Sequence, residues 1–218
     1  MLRLWQLISP ALPVGAYAYS QGLEYALYAE WLESEDDIEG WIKGQIKHSL
    51  SHLDIPVLKR LYQAWLNNDT KQVNYWSQFL IASRETSEMV AEDLHLGRAL
   101  AKLLVDLEVG KADDFLNSER ASFATVFSLA AVHWQIPLQE IANGYLWAWV
   151  ENQVAAAVKM VPLGQTAGQR MLLSISELIP EAVRVGLELS DDDIGMLAPA
   201  VGIASALHET QYSRLFRS

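Results

Sequence analysis

Glu85, Glu88, Glu92 and His95 recur at intervals of three and four, which puts four potential metal ligands on one helical face. Within them, Glu92-Asp-Leu-His95 has the Glu-x-x-His form of the di-iron carboxylate bundles, where two such elements and two further glutamates surround the metals. The residues three before His48, His52, His133 and His208 are Gln45, Ser49, Ala130 and Ser205, so no second element exists. The di-iron reading fails on count, and the stripe is expected to be a solvated helical face. His48 and His52 stand four apart, the spacing at which two imidazoles share a metal, with Asp54 just beyond. No glutamate lies between them, so the zinc-protease motif is absent, and a pair leaves most of a coordination sphere open. The expectation is no metal site, with His48, His52, Glu92 and His95 as weak candidates, and no tightly bound cofactor.

Pro162-Leu-Gly-Gln-Thr-Ala-Gly-Gln-Arg170 looks superficially like a phosphate loop. It lacks the Gly-Lys-Ser/Thr ending, and the pattern before it is helical rather than extended. It reads instead as a helix stop and restart, with Thr166 and Gln169 at capping-box spacing. Arg170 would then project from the first turn of the new helix, for packing, a local salt bridge or an acidic partner. No Ser/His/Asp arrangement can be argued, and with no cysteine a thiol nucleophile is excluded. The residues by themselves specify no enzyme.

The elements that would carry these residues are helices. Ser34 followed by Glu35, Asp36 and Asp37 reads as an N-cap with acids at the positive end of the dipole, and Ile38, Trp41, Ile42 and Ile46 follow on one face. Asp54 near a cap and Pro56 in a first turn open the next helix, and Asp69 caps a third. Further helices are predicted from Arg84 to Leu107 and over 121–134, 137–159, 166–179, 181–189 and 197–210. No strand alternation, hairpin turn or internal repeat competes with them. Helix 137–159 is apolar nearly all round, which marks a central element, and Asn152 on its stripe is expected to be a buried, hydrogen-bonded amide that fixes packing. The fold class is therefore all-α: one domain over 1–218, a bundle of about eight to ten helices around that central helix.

Composition narrows the partners. Of 218 residues, 16 are Lys or Arg and 27 Asp or Glu, giving a net charge of −11 that disfavours phosphate backbones, so no nucleic acid is expected. Absence of disulfides suits the cytoplasm. Gln6, Ser9, Pro10 and Pro13 break the apolar stretch a signal peptide requires. Glu151, Asn152, Gln153 and Lys159 interrupt the run 141–161 that comes nearest to a membrane span, so no membrane association is expected either.

Both ends are unusual for a plain bundle. Residues 9–24 are punctuated by proline and glycine and carry Tyr17 and Tyr19. The tail 208–218 is a slightly basic island in which Tyr212, Leu215 and Phe216 interleave with Arg214 and Arg217. Aromatic residues and arginine are what interfaces favour, so 208–218 is predicted to be a docking tail.

These segments resemble the UreF family of urease accessory proteins. SPALPVGAYAYSQGLE (9–24), SRETSEMVAEDLHLGRAL (83–100), AAVKMVPLGQTAGQR (156–170) and HETQYSRLFRS (208–218) carry the resemblance, in the expected order. Departures are modest: Tyr17 where Phe is usual, Lys159-Met160 where Arg-Leu is common, and Ala206-Leu207 where Met-Arg often precedes the histidine. The resemblance implies a non-enzymatic, all-α, dimer-forming assembly factor. Such a factor bridges UreD (also called UreH) and the GTPase UreG in a complex that delivers nickel to apo-urease. On that basis the partner-binding residues are expected among Tyr17, Tyr19, Gln165, Thr166, Arg170, His208, Glu209, Gln211, Tyr212, Arg214, Leu215, Phe216 and Arg217. Two alternatives stay open: a regulator of the UreG GTPase with Arg170, Arg214 or Arg217 as a finger, and a chaperone that itself holds nickel.

Overall fold

The structure, a computed structural model, describes residues 1–218. Two six-residue helices, α1 (Leu2–Leu7) and α2 (Leu23–Tyr28), precede nine longer ones. These are α3 (Glu35–Gln45), α4 (Asp54–Leu66), α5 (Thr70–Ala82), α6 (Ser87–Asp106) and α7 (Phe123–His133). They continue as α8 (Leu138–Met160), α9 (Gln165–Ser176), α10 (Ile179–Glu188) and α11 (Pro199–His208). There is no strand, and no helix is long and apolar enough to cross a membrane.

The caps show how sequence fixes the boundaries. Ser34 Oγ accepts from the Asp37 N–H at 3.1 Å while Asp37 accepts from the Ser34 N–H at 2.9 Å, a reciprocal box that starts α3. Asp69 accepts from the N–H groups of Lys71 and Gln72, Thr86 from that of Met89, and Ser122 from that of Thr125. The box expected of Thr166 and Gln169 is not formed. Gly164 is the N-cap of α9, so Thr166 already lies inside its first turn and Arg170 in its second. Asp54 does not cap α4 either, because its carboxylate is turned into the interior.

One apolar cluster of 46 buried residues unites the bundle. α8 packs on α1, α3, α4, α7, α9 and α10, as its all-round apolarity requires. α4 and α7 pack on each other beside it, and eight of the eleven residues of α7 are buried. α6 meets the turn into α7 at Gly97, where a Cβ would overlap the Ala121 carbonyl, so the backbones approach as closely as glycine alone permits.

The N-terminal segment takes its path from two left-handed glycines, Gly15 (φ 81°) and Gly22 (φ 80°). Gly22 lies against α11, where a Cβ would stand 3.0 Å from the Ser205 nitrogen. After α11 the chain turns back and lays residues 209–218 over the N-terminal segment as an irregular strap.

Candidate functional site

Three separated stretches of sequence meet in a seam between α6 and α11. Glu24 of α2, Glu88 and Glu92 of α6, and His208 at the end of α11 are its charged members. The His208 ring is fully buried, with Nδ1 2.7 Å from Glu88 and Nε2 3.1 Å from Glu24. Glu24 also accepts the backbone N–H groups of Leu215 at 2.6 Å and Phe216 at 2.8 Å, which draws the strap inward. Arg214 pairs with the second oxygen of Glu88 at 2.7 Å. Glu209 reaches the start of α6, accepting from the N–H and hydroxyl of Ser87. A buried carboxylate earns its place when donors surround it, and each of these has donors from a different element.

The strap's last residues are held equally closely. Ser20 donates its N–H and its hydroxyl to the Ser218 carbonyl, and the Arg217 N–H reaches the Ala18 carbonyl. Ser218 donates its hydroxyl to Glu92 at 3.0 Å, and the Gln21 amide donates to the other oxygen at 2.8 Å. Burial pushes the Glu92 carboxyl up to about 7. Burial also raises the Tyr19 hydroxyl, against the pull of the facing Arg217 guanidinium. Phe216 is buried under the Lys159 ammonium, 4.8 Å from its ring centre. Asn152 donates to the Tyr19 carbonyl at 3.3 Å, the hydrogen-bonded role expected of it, although the residue is half-buried at the cavity wall rather than buried in the core.

Behind the seam lies a cavity of about 240 Å³, with Glu92 and Gln21 in its wall. At its base Arg84 grips Asp54 with two nitrogens (2.7 and 3.3 Å) and Asp93 with a third (3.0 Å). Asp54 also accepts from the Tyr145 hydroxyl, and Asp93 from the Phe123 N–H at the start of α7. Burial opposes the Arg84 charge, but the two aspartates outweigh it and raise its pKa; burial beside Asp54 raises the Tyr145 hydroxyl well above its ordinary value. One guanidinium thus ties α4, α6, α7 and α8 together.

The predicted site residues divide into groups. Tyr19, His208, Glu209, Arg214, Phe216 and Arg217 join the seam, and Gln211 turns its amide onto the Ser213 carbonyl beside it. Tyr212 and Leu215 point outward from the strap, fully and 53% exposed, and Tyr17 stands exposed at the cavity wall. Gln165, Thr166 and Arg170 are exposed on α9, which packs on α3 and α8, and no side-chain bond links them to the tail. The stripe expected to be solvated is split: Glu92 is buried, Glu88 is largely covered by the strap, and Glu85 and His95 are exposed. His48 and His52 do not share an α-helical face, because Ile46–Leu50 forms a π-turn and the chain leaves it at Ser51. No three His, Asp or Glu side chains are grouped to hold a metal ion. Sequence reasoning missed Glu24, Asp54, Arg84 and Asp93; Arg84, a lone basic residue followed by four acids within nine positions, was the available signal.

An all-α domain whose charged network seats its own terminal segments belongs, by comparison, to a class of helical accessory proteins. Residues 32–176 match the model of the UreF family. The chain is 55% identical to the urease accessory protein UreF of Alkalilimnicola ehrlichii, over 99% of this chain and 95% of that protein. It is 48% identical to the UreF of Hahella chejuensis over 100% and 98%, and 44% identical to UreF 2 of Brucella anthropi over 100% and 96%. The chain is a member of the UreF family of urease accessory proteins.

Proposed function

We propose that this chain is a non-catalytic scaffold that joins UreD and UreG in the cytoplasm, in a complex that inserts nickel into apo-urease. Nickel is carried by the complex rather than held tightly by this chain, which acts as a homodimer. The single observation that carries the reading is the division of the strap into two sides. Its inner side, the Leu215 N–H included, is given to Glu24, Glu88 and Glu92, whereas the side chains of Tyr212 and Leu215 face outward beside Arg214 and Arg217. Aromatic and apolar anchors rimmed by guanidinium groups suit a protein partner.

The strap's inner contacts make deletion of 208–218 an ambiguous test, since it would uncover the buried seam. Substitution of the outward residues is cleaner. Burying Tyr212 and Leu215 against UreD is worth about 1.5–3 kcal/mol each. The pair Tyr212→Ala, Leu215→Ala should therefore weaken UreD binding by roughly a hundredfold or more, with unchanged circular dichroism and melting temperature. Retention of UreD at unchanged affinity would overturn the docking assignment.

A second reading, regulation of the UreG GTPase, is favoured by one residue. Arg170 is exposed and makes no hydrogen bond or ion pair, as a guanidinium awaiting a partner's phosphate site would. GTP turnover by UreG with the Arg170→Ala protein separates the two readings.

A further inference from the structure

The cavity carries more negative charge than its walls balance. Arg84 pairs with both Asp54 and Asp93, one positive charge against two negative, and Glu85, Glu92 and Glu151 on the same walls form no ion pair. Burial raises the pKa of all three, so each is short of compensating charge. Gln45, 5% exposed, lines the cavity too, and its buried Nε2 has no acceptor. A buried amide donor left unmade is costly, which points to an occupant that brings a carbonyl as well as a charge. Tyr17 and Trp149 add aromatic surface.

These features distinguish between kinds of cation. A bare divalent ion needs oxygens converging at about 2.0–2.6 Å, and no three carboxylates or imidazoles of the chain are so grouped. An organic cation reaches separated carboxylates and stacks on aromatic rings. Arginine suits best, because its planar fork offers five donors where an ammonium is a compact point charge. We propose that the cavity receives one arginine side chain of a docked partner protein, its guanidinium among Glu85, Glu92 and Glu151 and an adjacent carbonyl on the Gln45 amide. The source of that side chain rests on the scaffold reading; the cavity's preference for a guanidinium does not.

The test uses the full chain and a small probe, Nα-acetyl-arginine amide, followed through the indole N–H resonance of Trp149. Saturable binding is expected, with the neutral isostere Nα-acetyl-citrulline amide bound at least tenfold more weakly. Glu151→Gln should weaken the arginine probe about tenfold, the loss of one charge-assisted hydrogen bond. Glu85→Gln, at a position more exposed than Glu151, should act in the same direction. Equal binding of the citrulline probe, displacement of the arginine probe by nickel or magnesium, or no saturable shift would each overturn the proposal. Failure here with UreD docking intact removes this inference alone, whereas loss of docking leaves the probe result unaffected.

Discussion

Arg84 and Arg184 each hold two carboxylates, yet their surroundings make them opposite cases. The Arg84 side chain is 17% exposed and its partners Asp54 and Asp93 are 2% and 5% exposed. Removing it strands two carboxylates in the interior, for which about 3–5 kcal/mol is the usual loss. Arg84→Met should therefore lower the denaturation midpoint severely, while Arg184→Met, on the open face of α10 beside Glu181 and Glu188, should leave it unchanged. Urea titration of both proteins checks the contrast, and equal effects would refute it. This network was the least legible part of the sequence. A charged residue on an amphipathic pattern defaults to solvent, and beyond the acids that follow Arg84 nothing local announces partners 30 and nine positions away. His208, by contrast, stands out with its tail, although its clamp Glu24 lies 184 positions distant and no local pattern connects the two.

Elements were read well wherever a cap or a period defined them, and poorly where tertiary contacts took over. Ser34, Asp69 and the apolar run of α8 place their helices within a residue or two. The turns α1 and α2 escaped notice because six residues are too few for a period to show. The π-turn at Ile46–Leu50 escaped too, and with it the divergence of His48 from His52. Glycine discriminates the two kinds of control within helices. Gly97 is demanded by the approach of the turn into α7, so Gly97→Ala should cost about 3 kcal/mol or more as the Ala121 backbone is pushed away. Gly40 lies in α3 with nothing near its missing Cβ, and Gly40→Ala should instead stabilise by about 0.5–1 kcal/mol. Chemical denaturation of the two proteins gives opposite signs if packing sets the first and backbone entropy the second.

Across the whole molecule the charge of −11 and the buried seam act together on the response to pH. Glu39 and Glu209, held below the usual carboxylate range by hydrogen bonds, principally from Lys43 and from Ser87, contribute stability that is lost as acid protonates them. Glu92 works in the other direction. Its carboxyl is pushed up to about 7 in the folded chain, whereas an unfolded glutamate titrates near about 4.3. Between those values the folded chain keeps a proton that the unfolded chain has released, so its stability falls as pH rises through the window and levels off above it. The full effect approaches ~4 kcal/mol and falls where Gln21 and Ser218 are joined to α6. Mutual repulsion of a strongly acidic chain also weakens it towards alkaline pH, so the wild-type profile alone cannot assign the slope. Glu92→Gln separates the two contributions, since an amide is neutral throughout and can still bond with Ser218. Melting curves of the two proteins should lie closest near pH 4 and diverge with increasing pH, the variant being the more stable at pH 8. Parallel curves from pH 5 to 8 would mean that Glu92 ionises inside the seam without penalty.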